Sequence, residues 1–534
     1  MEDPGPLLVD TGRGLSIRYG GRWLYSSRDP SASPVAAAHA ADILPDTLYV
    51  VPSPCLCYGV RELAGRLPSS SAMLLIEVDE SLGAIARRTL AADGIDAPVS
   101  DTAACVDAYK ALETGAEPRR FRRVVEVRLS GGRSLHEEAY RRSLAAIDAD
   151  ISIRFRNRLS LVRMGRLWTR NVISNLGSMD WESVGPLSAD GRPVVACGAG
   201  PSLDIAIPAL RRLGKRAFVL ACDTAAGALA KAGIVPDAIV CLEGQVYNLE
   251  DFLPLDGAPA GIVVDLTSHP SSYRATGGRR TLTLSEYTES AFLSRLKAAG
   301  LPVAPVPPLG SVGVLAIRIA RELGGPVVVA GLDFSFIQGA THCAGSPADL
   351  RSRRSETRLR KGDAAWAASF RDGCERKEDG SLTDPALTMY ASLAAAEFID
   401  HGRIYGDLRG GFGARLPIPL ITVEDLESMT PGREGSGDGR AFGSEADPAL
   451  CRDNASRFLS GELERSGNVA SALRTGASDG DMRALLKEAD FLYAHFPDPE
   501  RVLGLEGDAL RRVSAEAAYW SGRLEAALAD AARR

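Results

Sequence analysis

Short continuous apolar runs alternate along this chain with segments whose apolar residues recur at helical spacing. The clearest succession lies between Arg192 and Gly244. Pro193 to Cys197 is apolar and breaks into Gly198-Ala199-Gly200-Pro201-Ser202, and an amphipathic segment runs from Leu203 to Leu213. A second apolar run, Ala217 to Ala221, ends in Cys222-Asp223-Thr224; a third, Ala238 to Leu242, ends in Glu243-Gly244. Strands alternating with helical segments of this length predict βαβ units, an α/β fold and a Rossmann-like parallel sheet.

The same pattern divides the rest of the chain. Residues 1 to 130 read as a smaller Rossmann-like α/β domain: a hairpin turning at Gly20-Gly21, a strand at Thr47 to Val51, a helix at Tyr58 to Arg66 and a strand at Ala72 to Val78. Its first loop, Pro-Ser-Pro-Cys-Leu-Cys-Tyr-Gly, is stiffened by prolines that lack the amide donors a phosphate needs, so a docking or scaffold role is expected. Residues 131 to 191 read as a helical connector ending in a linker from Gly177 to Gly191. The central domain spans 192 to 430. It continues with strands at Gly261 to Asp265 and Arg280 to Leu284, a helix at Glu286 to Ala299 and a proline-rich crossing from Leu301 to Leu309. Gly310-Ser311 then opens an apolar helix, and a buried strand ends in Gly331-Leu332-Asp333-Phe334. Residues 335 to 382 form a long polar excursion of the kind that serves as a lid or is disordered. A Gly/Ser-rich linker from Thr430 leads to a helical C-terminal domain, 431 to 534, expected to pack, bind a partner or form a homo-oligomer.

Composition narrows the function. With 534 residues, 45% of them hydrophobic, the chain builds sizeable cores; a net charge of −6 carries no nucleic-acid footprint. No apolar run is long enough to span a membrane. The acidic start MEDPGPLLVD lacks the basic and apolar regions of a secretory signal, and the nine cysteines are scattered, so a reduced, cytoplasmic protein without a structural metal is expected.

The candidate chemistry gathers at predicted strand ends, where open α/β sheets bind ligands. Gly198 and Gly200 allow close backbone approach, and Pro201 suits a helix start, leaving the amides around Ser202 and Leu203 to favour an anion. Asp223, followed by Thr224, stands where an acidic residue takes a ribose hydroxyl. The dinucleotide fingerprint is incomplete, since Leu203 stands where its third glycine would be, so the reading is a mononucleotide site. Gly310 and Ser311 supply a second helix N-terminus. The basic residues Arg154, Arg156, Arg158, Arg163, Arg166 and Arg170 read as a solvated face, with contact to an acidic partner as the sharper alternative.

Three blocks resemble the motility accessory factor (Maf) flagellin glycosyltransferases, whose central domain is also named for an MptE-like 6-hydroxymethylpterin diphosphokinase. They are CGAGPSLD at 197 to 204, CDTA with AGIVPDAIVCLE at 222 to 243, and GLDFSFIQGATHCAGS at 331 to 346. The N-terminal region is similar to the amino-terminal domain of the same family through YSSRDPSASPVAAAHA, the Cys57-Tyr58-Gly59 turn and LLIEVDESLGAIA. The central domain also resembles bacterial sialyltransferases that use CMP-sugars. That likeness aligns their nucleotide site with Gly198 to Leu203, Asp223, Glu243, Ser311 and Gly331 to Phe334. This chain departs from them at Asp223 and Glu243, where they carry Asn, and at Ser335 and Thr341, where they carry lid tyrosines. Arg351, Arg353 and Arg354, or a bound Mg²⁺, are left to neutralise the donor phosphate.

The resemblance implies transfer of a pseudaminic- or legionaminic-like nonulosonic acid from its CMP donor to Ser or Thr hydroxyls of flagellin, with no further cofactor. The acceptor hydroxyl needs a base. His342 is the candidate and His401 a weaker one, while Asp333 orients the loop or the acceptor. The competing readings are an ATP-dependent pterin diphosphokinase, with Asp223 and Glu243 on Mg²⁺, and a catalytically silent flagellin-binding factor.

Overall fold

The structure is a computed structural model that describes residues 5–95, 97–113, 120–255, 257–359, 366–398, 403–429 and 440–534, without the side chains of 153–156. It divides into two compact units, Met1–Ser160 and Leu161–Arg534, so the division falls inside the segment read as a connector.

In the first unit β1 (Leu7–Asp10), β2 (Leu15–Tyr19) and β3 (Arg22–Trp23) form an antiparallel sheet that turns at Gly20-Gly21. A parallel sheet follows, built from β4 (Thr47–Pro52), β5 (Ala72–Ile76), β6 (Val99–Ser100) and β7 (Arg123–Glu126) in the order β6-β5-β4-β7. Its helices are α1 (Ala32–Ala40), α2 (Val60–Ala64), α3 (Glu80–Asp93) and α4 (Cys105–Glu113). Both faces of β4 and β5 are buried, which explains their unbroken apolar runs. The long helix α5 (Glu137–Ser178) leaves this unit and enters the next.

The second unit is organised by eight parallel strands. They are β9 (Val194–Cys197), β10 (Phe218–Cys222), β11 (Ala238–Cys241), β12 (Gly261–Asp265), β13 (Arg280–Ser285), β14 (Val303–Val306), β15 (Val327–Ala330) and β18 (Tyr405–Asp407). Their order, β14-β13-β12-β11-β10-β9-β15-β18, reverses between β9 and β15. That reversal is the topological switch point, where a crevice opens beyond the strand carboxyl ends. Around the sheet lie α6 (Leu203–Leu213), α7 (Asp223–Lys231), α8 (Ala291–Lys297), α9 (Val312–Glu322), α10 (Pro347–Ser355), α11 (Pro385–Ala396) and α12 (Val423–Ser428). The α/β class and the parallel sheet match the pattern of apolar runs.

Three expectations are corrected. The proline-rich crossing contains β14, an edge strand, where a proline is tolerated because one side needs no ladder donor. The excursion after β15 is not structureless: it holds α10 and a hairpin of β16 (Glu375–Arg376) and β17 (Leu382–Thr383), while 360–365 lie outside the described residues. The linker from Gly177 to Gly191 buries Trp181 and Val184 and carries β8 (Leu187–Ser188), which pairs with β19 (Ala441–Phe442).

The C-terminal helices α13 (Pro448–Thr475), α14 (Asp479–Glu488), α15 (Glu500–Leu503) and α16 (Gly507–Ala532) share one hydrophobic core with the sheet, running from Val172 to Ala527. Phe292 of α8 stacks edge-on with Phe458 and meets Phe491. Asp490 caps α8 by accepting the Ala291 and Phe292 amides, and Arg295 forks onto the buried Glu462 at 2.7 and 2.8 Å. These helices spend their apolar faces within the chain. Among their described residues only Leu450 is a large apolar side chain left exposed.

Candidate functional site

The crevice of the second unit is built by two loops pressed together. Gly198 donates to the Ala330 carbonyl at 2.8 Å and Gly200 to the Gly331 carbonyl at 2.7 Å. A Cβ on Gly198 would stand 2.5 Å from the Gly331 oxygen, and one on Gly200 2.4 Å from Asp333 Oδ2. Both positions therefore require glycine for backbone contact.

Asp333 changes the sequence reading. Its Oδ2 accepts the Ser202 amide at 2.9 Å, its Oδ1 accepts the Ser202 hydroxyl, and it is 2% exposed. The anion at the start of α6 is thus the protein's own carboxylate, and the amides of Gly198, Gly200 and Ser202 are already spent. A phosphate held by those amides is excluded in this arrangement. Burial raises the Asp333 pKa to about 6, and Arg409 opposes the rise. Arg409 is itself buried, bonding both oxygens of Asp407 and the Leu332 and Ala414 carbonyls. Asp333 fastens the two loops and does not face a ligand. Leu203 is fully buried beneath them, and Pro201 is half-buried before the Ser202 cap position.

Half-buried residues at the strand ends and in the loops that follow them are Ala199, Gly200, Pro201, Thr224, Glu243, Ser311, Thr341 and His342. Ser311 sits at the N-cap of α9 and its side chain makes no capping bond; Gly310 before it takes a φ of 66° with the Tyr390 ring against it. Leu332 lies between Gly198 and Gly313, so the start of α9 joins the β9 and β15 loops.

The loop after β15 brings the neighbourhood of His342 to the glycine loop. Cys343 donates its amide to the Ala199 carbonyl at 2.8 Å, fastening the neighbouring residue to the glycine loop. His342 Nδ1 is 3.0 Å from the Thr341 hydroxyl. Burial, then the charges of Arg351 and Arg371, hold its pKa below the ordinary 6.5, so the imidazole is neutral at pH 7. Of the three arginines proposed for phosphate, Arg351 pairs with Glu250 at 2.9 Å, Arg353 turns to Asp349 at 2.8 Å, and Arg354 is exposed on α10. His401 lies outside the described residues, as do Arg360 and Lys361.

Asp223 is 3% exposed and accepts from the Thr224 amide at 2.8 Å and from Asn248 at 3.1 Å, so it faces inward rather than toward a ribose. Thr224 Oγ1 also reaches Asp251 at 3.3 Å. Burial lifts Asp223 to about 6; burial and the Asp223 charge lift Asp251 to about 7. Glu243 is bent over its own loop, with Oε1 accepting the Gln245 amide at 3.0 Å. Among the described residues no group of three or more His, Cys, Asp or Glu is placed to hold a metal ion.

Sequence reasoning missed Asp251, Asn248 and Arg371. Asp251 and Asn248 lie in a 3-10 stretch, Val246–Asp251, that carries no periodicity, and Arg371 lies in the irregular excursion. In the basic helical face Arg166 bonds Glu516 at 3.1 Å and stacks on Tyr519, and the side chains of Arg154 and Arg156 lie outside the described ones.

Comparison with known proteins supports this fold. Residues 170–339 match the family model of the 6-hydroxymethylpterin diphosphokinase MptE-like proteins. An uncharacterized protein of Treponema pallidum (strain Nichols) is 28% identical, over 96% of this chain and 93% of its own. The Maf glycosyltransferase from Magnetospirillum magneticum AMB-1 superimposes with a TM-score of 0.54 at 14% identity, covering 100% of this chain and 91% of that one. The chain therefore carries an MptE-like domain at its sheet's switch point, set within the fold of a Maf glycosyltransferase.

Proposed function

We propose that this protein is a cytoplasmic glycosyltransferase that moves a nonulosonic acid from a CMP donor to Ser or Thr hydroxyls of flagellin. One observation supports the reading: the Cys343–Ala199 bond holds the residue next to a neutral, half-buried His342 against the half-buried glycine loop of the switch point, in the fold of a Maf glycosyltransferase. Chemically, the CMP leaving group needs only charge stabilisation, while the acceptor hydroxyl must lose a proton as the sugar centre becomes cationic. A neutral imidazole supplies that base. Because Asp333 takes the Ser202 amide and the Gly198 and Gly200 amides bond neighbouring carbonyls, the donor phosphate is assigned to Ser311, whose side chain makes no capping bond, and to Arg351.

Intact-mass analysis of flagellin from cells with and without the gene tests the reaction. A difference of whole sugar units supports it, and identical masses refute it. Thermal shift with CMP, CTP and ATP tests the site: stabilisation by cytidine ligands is expected, and stabilisation by ATP with Mg²⁺ alone favours diphosphoryl transfer instead.

A further inference from the structure

We infer that Asn171 and Asn175 of α5 are positioning residues that fix the loops after β11 and β12 and, through them, Glu243; the link to ligand binding rests on the function proposed above. Spaced four residues apart, they share one helix face, and each is 1% exposed. Asparagine is a poor helix former, and an apolar residue would be expected at a buried position.

The reason for these residues lies in the carbonyls opposite. Asn171 Nδ2 donates to Gly244 at 3.0 Å and Thr267 at 2.8 Å; Asn175 Nδ2 donates to Leu266 at 2.8 Å and Ser268 at 2.9 Å. All four carbonyls lie just past strand ends, where the ladder no longer supplies donors. Carbonyl oxygens only accept, so the amide orientation is forced, and both hydrogens of each amide are used. Each Oδ1 is buried with no partner among the described residues, which sets the pair apart from generic helix packing.

Glu243 is bracketed by these bonds. The Gly244 carbonyl, one residue on, is held by Asn171, the Glu243 carbonyl accepts the His269 amide at 3.0 Å, and the Ser268 hydroxyl reaches the Cys241 carbonyl at 3.1 Å. Around Gly244 the space is already filled, since a Cβ there would meet Asn171 Nδ2 at 3.3 Å and Trp168 at 3.4 Å. Loss of the Asn171 donors frees the backbone that carries the Glu243 side chain, while the sheet beneath is untouched.

The test uses the full chain with CMP as probe. Asn171→Asp replaces the donors by a carboxylate facing two carbonyls; Asn171→Ala removes them without adding charge and serves if the aspartate variant does not fold. Hydrogen exchange at residues 242–248 is expected to quicken about tenfold, the scale of a lost hydrogen bond, with β9 unchanged. CMP binding is expected to weaken by about the same factor, and Glu243→Gln added to Asn171→Ala should weaken it no further, the signature of coupled residues. Unchanged exchange at 242–248, or fully additive losses, overturns the inference. If the unmodified chain binds no CMP, the functional proposal fails, and the exchange measurement alone decides this one.

Discussion

Each unit contains a parallel sheet with a switch point, and the two crevices are built alike at the floor yet finished differently. In the first unit the loop after β4 meets the loop after β7: Ser130 donates to the Ser53 carbonyl at 2.6 Å, and a Cβ on Gly132 would stand 2.1 Å from Ser53 Oγ. In the second, Asp333 and Gly331 meet Ser202 and Gly198 in the same relation. Above the floor the likeness ends. Residues 50–57 are all buried. Ser53, Cys55 and Cys57 are held at φ of 50°, 49° and 56°, a strained left-handed backbone that persists only where its surroundings over-determine it. Tyr25 does part of that by accepting the Leu56 amide at 3.1 Å and donating to the Pro54 carbonyl at 2.7 Å. Glu77 completes the plug, accepting from Ser53 at 2.9 Å, Tyr140 at 2.6 Å and two backbone amides. The second crevice leaves Gly200, Ser311 and His342 half-exposed. A switch point becomes a site only where the groups around it are left unspent.

The largest expected effect is on the open crevice. His342→Ala should lower the transfer rate by about 10² to 10⁴-fold, the usual worth of a general base, while CMP affinity stays within twofold. Because the His342 pKa lies below 6.5, the unmodified rate should be flat above neutrality and fall as pH drops through that lowered value. An unchanged rate in the variant, or a midpoint above 6.5, removes the histidine from the chemistry.

Glycine replacements test the two floors against each other. Gly200→Val forces a side chain onto Asp333, and Gly132→Ala forces one onto Ser53; each should cost roughly 2–4 kcal/mol in its own unit by chemical denaturation. Only Gly200→Val should also abolish CMP binding. Loss of binding in Gly132→Ala would erase the distinction between the crevices.

A smaller effect is expected at the plug. In Glu77→Gln the carbonyl oxygen can keep the Tyr140 and backbone donors while the new amide donates to the Ser53 hydroxyl, so the cost is that of charge-assisted bonds becoming neutral ones, roughly 1–2 kcal/mol. Hydrogen exchange should quicken around residues 53–59 with no change in CMP affinity.

The contrast was partly legible in the sequence. Apolar runs ending in Gly198-Ala199-Gly200 and in Asp333 mark the second switch point, because buried parallel strands and close backbone approach constrain residue type directly. The prolines at 52 and 54 mark the first loop as unfit for phosphate for an equally local reason. The partner of the Ser202 amide was not legible: Ser202 and Asp333 are 131 residues apart, and no local pattern shows a carboxylate folding back onto a helix start. Asp251 was hidden likewise, since its pairing with Asp223 arises only when a 3-10 turn packs on α7. The Asn171 and Asn175 pair was readable in principle, as two asparagines four apart within an apolar helical stretch.

The smallest expected effect concerns the Asp223 and Asp251 pair. Asp251 sits at about 7 in the folded chain, far above the ordinary 3.8, so the folded state holds its proton more tightly than the unfolded state. A raised carboxylate contributes stability below its unfolded value and loses it as pH rises through the folded one. At pH 8 both carboxylates are charged and repel within one buried pocket; at pH 5 Asp251 is protonated. Asp251→Asn should therefore raise the melting temperature by about 1–2 °C at pH 8, the shift expected for about 1 kcal/mol in a unit of this size, and by less at pH 5. Equal shifts at both pH values would show that the pair is not strained by charge, and that the open crevice stores no more electrostatic cost than the closed one.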